Sequence, residues 1–253
     1  MSSPIWTPAA LRSESRSLHG ASWRLVEAQH RVSTMKLVDT LDEQALLEDE
    51  LEATKPPVPP ACTHLDYLLA TPFRYGRYPG NSRFRREGYS PGVFYASEKV
   101  ETAVTETAFY RLLFFAESPG TPWPRNALEF SAFEARYATT HAIDLTAAPF
   151  IEQALLWTHR TDYSACLDLA DKAHEAGIEL IRYQSVRDPG GGINLALLSC
   201  ACFAMPNPTR MTTWRLHFSN YGVKAICDSP EIRLEFSRDT FANDSRLRTK
   251  TRS

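Results

Sequence analysis

The sequence predicts an α+β fold, a mixed or antiparallel sheet core with flanking helices, and three observations carry that expectation. A long run beginning near Lys99 is apolar at helical spacing, with Val100, Val104, Ala108, Leu112 and Phe115 on one stripe and Ala103, Tyr110 and Leu113 opposite. Such a helix is buried on most sides. A second helix is expected from Asp162 to Ala176, with Ala165, Leu169, Ala173 and Ala176 on one face and Gly177 placed to end it in a left-handed conformation. Around these helices the second half of the chain is rich in short strand-like runs, at 178–183, 193–203, 214–218, 222–226 and 232–236.

The remaining elements follow in chain order. Residues 1–18, rich in serine and arginine, show no steady period and are expected to form a loose arm. Ser22-Trp23-Arg24-Leu25-Val26 alternates as a short strand, which places Arg24 beside the core. Thr40 to Ala53 reads as an acidic surface helix stopped by Lys55-Pro56-Pro57-Val58-Pro59-Pro60, since proline lacks the donor and restricts the residue before it. A helical turn is expected at Asp66–Ala70, followed to Pro91 by a long loop dense in glycine, proline and arginine. Gly92 to Tyr95 is a short aromatic strand, and Ser97 is positioned as the N-cap of the helix that follows. Leu128–Tyr137 and Ala142–Leu145 read as two strands joined by a turn, and Pro149–Trp157 as a short helix. Residues 239–253 are polar and basic, and a flexible tail is expected there.

Composition narrows the function classes. With 253 residues, 43% hydrophobic content and a formal charge of −2, the chain has the profile of one ordinary globular domain. The 28 basic residues do not exceed the 30 acidic ones, so the excess that phosphate-backbone binding leaves is missing and no direct nucleic-acid binding is expected. No apolar run approaches the ~20 residues that span a bilayer, so no membrane association is expected. Five cysteines at irregular spacing, with no leader before them, read as reduced thiols of a cytoplasmic protein. Cys200 and Cys202 lack the further ligands a metal would need, and the histidines, His30 included, make no ligand spacing, so no metal is expected.

One stretch, Asn81 to Ala116, collects the chemistry. Ser82-Arg83-Phe84-Arg85 supplies guanidinium forks that grip phosphates in bidentate fashion, Val93-Phe94-Tyr95 supplies an aromatic face, and the helix supplies a carboxylate at Glu106. Together these suit a dinucleotide. With Trp23-Arg24-Leu25 before them and the Gln184-Ser185-Val186 turn after them, ahead of Gly190-Gly191-Gly192 and an apolar strand, the order and spacing resemble the RES-domain family, the toxin half of bacterial Xre-RES toxin–antitoxin pairs. The resemblance covers about residues 22–205, within a single RES-like catalytic domain taken as 19–238. Residues 35–70 look like an insertion between the two arginines, and Arg74 therefore competes with Arg24 for the first arginine's role.

The resemblance implies an ADP-ribosyltransferase-like fold, NAD as substrate with no further cofactor, and a helix-turn-helix antitoxin as partner. It implies cleavage of the nicotinamide–ribose bond by hydrolysis or phosphorolysis, or alternatively ADP-ribose transfer to a cellular protein. Such cleavage builds positive charge on the ribose, which a fixed carboxylate stabilises. Glu106 is expected in that role, with Arg83 and Arg24 (or Arg74) on the phosphates, Tyr95 stacked on the nicotinamide ring and Ser185 orienting the ribose end. Each residue also has a bland reading: a salt-bridged surface glutamate, solvated loop arginines (Arg77 and Arg86 among them), a core tyrosine and a turn serine. A rival of another class is an RNA-binding or non-catalytic interaction protein.

Overall fold

The computed structural model describes residues 6–28, 37–75, 79–88 and 92–247. His30 and Arg77 lie outside the described residues. Among the described residues six α-helices flank one mixed sheet: α1 (Pro8–Ser13), α2 (Leu41–Ala53), α3 (Tyr67–Arg74), α4 (Val100–Glu117), α5 (Ala154–Trp157) and α6 (Ser164–Ala176). The strands are β1 (Arg16–Glu27), β2 (Phe94–Ser97), β3 (Leu128–Asp144), β4 (Leu180–Gln184), β5 (Ile193–Leu197), β6 (Arg210–Ser219), β7 (Gly222–Asp228) and β8 (Glu231–Ser237). They run in the order β1-β2-β5-β4-β3-β6-β7-β8, and β1 also pairs with β3. That extra pairing closes β1, β2, β5, β4 and β3 into a ring, from which β6, β7 and β8 continue as an antiparallel meander. Among the described strands only β3 and β4 pair in parallel.

Long β3 is the hinge of this arrangement. Instead of two strands joined by a turn it runs unbroken through 17 residues, pairing β1 along one edge while β6 and then β4 occupy the other. Pairing with β1 at Ala138 and Thr139 and with β4 from Ala142 onward holds residues 138–141 extended where a polar Ala-Thr-Thr-His run alone suggests a turn. The helix α4 packs Val104, Ala108, Phe109 and Leu112 against Phe130, Trp214, Phe218 and Val223 of the sheet. On the far side α6 seats Cys166, Leu169 and Ala173 against Ile143, Phe150, Trp157 and Ile181. Burying each such large side chain contributes about 1.5–3 kcal/mol, so these contacts fix where α4 and its Glu106 sit.

Several expectations need correction. Residues 8–13 form a helix capped by Thr7, with Leu11 fully buried and Arg12 bonded to the carbonyls of Glu175 and Ala176, so this part of the expected loose arm is docked. Ser97 does not cap α4. It ends β2, its hydroxyl donates to Asn194 Oδ1 at 2.6 Å, and Lys99 takes the cap position without a side-chain bond. The apolar run after Asn194 stays a strand only to Leu197, because a 3-10 turn at Cys200–Cys202 bends it away from the sheet. The expected flexible tail is ordered through Leu247: a 3-10 turn at Arg238–Phe241 leads to a segment that buries Phe241, Asp244 and Leu247. Residues 248–253 lie outside the description. Within 35–70, α2 carries a full capping box between Thr40 and Glu43 and leaves Leu41, Leu46 and Leu51 exposed, as a surface helix would.

Candidate active site

A cleft of about 620 Å³ opens where β1, β2, α4 and the 81–83 loop meet. Helix α4 turns a second stripe towards it, Ala103, Glu106, Thr107, Tyr110 and Phe114, distinct from the stripe that packs on the sheet. Helical spacing explains the division, since residues three and four apart share a face. Trp23, Arg24 and Leu25 come from β1, Tyr95, Ala96 and Ser97 from β2, Tyr183 from β4 and Asn194 from β5. The ring closure of the sheet is what brings Arg24 alongside the Asn81–Ala116 stretch.

Glu106 is the centre of a bonded chain. Its Oε1 accepts from Ser185 Oγ at 2.6 Å and from Asn194 Nδ2 at 2.6 Å. Asn194 is turned that way by Ser97, which donates to its Oδ1 at 2.6 Å. Ser185 is fixed in turn, because its oxygen also accepts from the backbone N–H groups of Arg187 at 3.2 Å and Asp188 at 3.0 Å. Glu106 Oε2 has no protein partner among the described residues, and it is not sealed, since Gln153 Nε2 is the only fully buried unpartnered side-chain polar atom among them. One carboxylate oxygen is therefore held and the other faces the cleft. A fixed, half-desolvated carboxylate stabilises a cation that develops beside it without first having to reorganise.

The cleft walls carry Arg24, Arg83, Arg111, Arg187 and Arg246 against the single carboxylate of Glu106. Arg24 Nη1 donates to the carbonyl of Tyr95 at 2.8 Å and the guanidinium lies 5.1 Å from the centre of the Phe94 ring. Burial lowers its pKa to about 10, so it stays charged at neutral pH at a desolvation cost that an anion would offset. Arg83 is buried, donating to the carbonyls of Trp157 at 2.7 Å and His159 at 3.0 Å, with Tyr163 4.6 Å away across its face. Among the described residues no carboxylate pairs with Arg24 or Arg83. Tyr95 is half-buried at the cleft wall. Its hydroxyl accepts from the Phe84 N–H at 3.0 Å and lies 2.9 Å from Ser82 Oγ, which ties the arginine loop to β2.

Ser185 reaches the site through Glu106, to whose Oε1 its hydroxyl proton is committed. Arg74 stands elsewhere: it bonds Glu52 of α2 and the carbonyl of Pro56, and it does not line the cleft. Arg86 likewise faces Asp168 and Asp171 of α6. Asn194 was not among the candidates, although a lone amide inside the run Ile193-Asn194-Leu195-Ala196-Leu197 is a signal that a buried strand position has a polar task. Tyr110, Phe114, Tyr163, Arg187 and Arg246 were also missed, since only the closed sheet and the docked C-terminal segment show that they share a cleft.

No helix of the described residues is long and apolar enough to cross a membrane, and among those residues no group of His, Cys, Asp or Glu could hold a metal ion. The RES-domain family model matches residues 58–219. No curated protein matches the chain. Among solved structures, a chain of the crystal structure described as the M.tuberculosis MbcT-MbcA toxin-antitoxin complex aligns at 12% identity with a TM-score of 0.46, over 82% of this chain and 92% of that one.

Proposed function

Because the chain belongs to the RES-domain family, we propose that it is an NAD-consuming toxin that cleaves the nicotinamide–ribose bond and is neutralised by a helix-turn-helix antitoxin. The observation that carries this reading is the half-held carboxylate of Glu106, pinned through Oε1 by Ser185 and Asn194, in a cleft whose other charges are guanidiniums. A dinucleotide has the matching parts: two phosphates for the cationic wall, a flat cationic ring for an aromatic face and a ribose that becomes cationic as the bond breaks.

In this mechanism Arg24 binds the pyrophosphate with the donors left by its single bond to Tyr95, and Arg83 adds buried positive charge behind the loop it anchors. Tyr95 packs on the nicotinamide, whose positive charge favours an aromatic face. Glu106 Oε2 stabilises the ribosyl cation as the electron pair of the C–N bond leaves with nicotinamide. Water or phosphate then attacks the cation and loses its proton to solvent, giving ADP-ribose or its phosphate ester. Ser185 and Asn194 act through Glu106. The ADP-ribosyltransferase-like relationship of the fold belongs to the same proposal.

NAD labelled in the adenylate half tests the reaction class. Purified protein is expected to release nicotinamide and leave the label on free ADP-ribose, or on its phosphate when phosphate is present. Label on a protein band after addition of cell lysate indicates transfer instead, and intact NAD under every condition overturns the reading. Co-expression with a cognate helix-turn-helix antitoxin is expected to suppress turnover.

A further inference from the structure

The strands β7 and β8 and the turn after them lie beyond residue 219, where the family match ends, yet their last segment builds part of the cleft. Phe241 wedges between Phe109 of α4, at 5.6 Å between ring centres, and Phe236 of β8, at 6.0 Å. Leu247 is buried on the other side, so residues 242–246 are clasped between two apolar anchors. Asp244, buried between them, serves two arginines. Its Oδ2 accepts from Arg187 Nη1 at 2.5 Å and from Arg246 Nη2 at 2.9 Å, and its Oδ1 accepts from Arg246 Nε and the Arg246 backbone N–H, both at 3.0 Å.

Charge and exposure together say what this arrangement leaves over. Two guanidiniums share one carboxylate, so among the described residues the cluster keeps one net positive charge. The Arg187 and Asp244 side chains are each 2% exposed, whereas that of Arg246 is 30% exposed and borders the cleft. The unmatched charge is therefore presented by Arg246. Its Nε edge is locked against Asp244 and its face lies 5.5 Å from the Phe109 ring, so the side chain is fixed before any ligand arrives. Besides Asp244, the guanidinium has the hydroxyl of Tyr163 as a side-chain hydrogen-bond partner, a neutral group that leaves its charge unmatched. A guanidinium fixed by a carboxylate on one edge, partly exposed at the cleft wall and carrying the unmatched charge is preorganised to accept an oxyanion, with little rotamer entropy left to lose.

We infer that Arg246 is a substrate-binding residue for a phosphate group of a nucleoside diphosphate, set in place by Asp244 and by the clasp of Phe241 and Leu247. The inference deepens the NAD-consuming reading and rests on it for the identity of the nucleotide. Asp244 is a positioning residue, and Arg187 is the buried partner that fixes it.

Calorimetric titration of the full-length protein with ADP and with adenosine tests this, alongside NAD consumption by the wild type. Arg246→Ala is expected to weaken ADP binding at least tenfold and leave adenosine binding unchanged. Arg246→Gln, which keeps most of the side chain's packing, is expected to behave the same way, and matched thermal melts separate lost binding from lost fold. Asp244→Asn is expected to give a smaller loss for ADP. If the wild type consumes NAD while both Arg246 variants bind ADP as it does, the inference is overturned and the functional reading stands. If the variants lose ADP binding but the wild type leaves NAD intact, the anion site stands and the NAD reading falls. A wild type that neither binds ADP nor consumes NAD overturns both.

Discussion

Glu106 shows how much a single residue's neighbours decide. A glutamate in the middle of an apolar helix is visible in the sequence as an anomaly, since such carboxylates are costly unless partnered. Its partners were only half visible: Ser185 stood out beside a glycine loop, whereas Asn194 was hidden in an apolar strand whose register with β2 brings it to Ser97. The two supports differ in what else they hold. Asn194→Ala removes one bond to Oε1 and leaves Ser97 unpaired, and it is expected to lower NAD turnover about tenfold or more, in line with the loss of a preorganised hydrogen bond. Ser185→Ala removes the same kind of bond but also strands the N–H groups of Arg187 and Asp188. It is therefore expected to cost an additional ~1–3 kcal/mol of stability, readable in denaturant melts. Equal stability of the two variants would contradict this assignment of the Ser185 oxygen.

At the scale of elements, the triple glycine is informative because its members differ. The run is pinned: Asp188 accepts from Gly190 N–H at 2.8 Å and from Thr102 of α4 at 2.7 Å. Gly191 occupies the left-handed region at φ +69°, and a Cβ on Gly192 would stand 2.1 Å from Thr102 Oγ1 and 2.3 Å from Asp188 Oδ2. The loop is thus packed against the first turn of α4, which sequence composition alone cannot reveal. Gly192→Ala is expected to destabilise the protein by ~1–3 kcal/mol as the clash forces the loop off α4. Gly190→Ala, with only Asp188 Oδ1 at 3.2 Å, is expected to be milder. Thermal melts of the two variants check the order. The helices α4 and α6 were legible because their apolar spacing is strong and because Gly177, at φ +70°, closes α6. The arm, the ends of β3 and β5 and the tail were not, because long-range partners decide their state: α6 for the arm, three strands for β3, Phe109 for the tail.

For the whole molecule, the site is a product of closure. The ring of strands brings Arg24 to Tyr95, and the C-terminal segment returns to add Arg246, so residues far apart in sequence meet along one face of α4. The same closure carries a pH dependence. Burial raises the Asp244 carboxyl's pKa, but the bonds from Arg246 and the charges of Arg246 and Arg187 outweigh it and hold the group below its ordinary value. A depressed carboxylate contributes stability that is fully present above the unfolded-state pKa near 3.9 and is lost as pH falls through the lower folded value. Stability of the wild type is therefore expected to fall as pH drops below about 4, and Asp244→Asn is expected to be less stable at neutral pH with a shallower acid slope. An unchanged acid slope in that variant would show that Asp244 is not the coupled group. In the proposed mechanism Glu106 stabilises the ribosyl cation, and the decisive measurement is single-turnover cleavage of NAD by wild type and Glu106→Gln at saturating substrate, with matched thermal melts. Nicotinamide release is expected to slow by about 10²-fold or more while the protein remains folded, whereas equal rates from the two proteins would contradict the account.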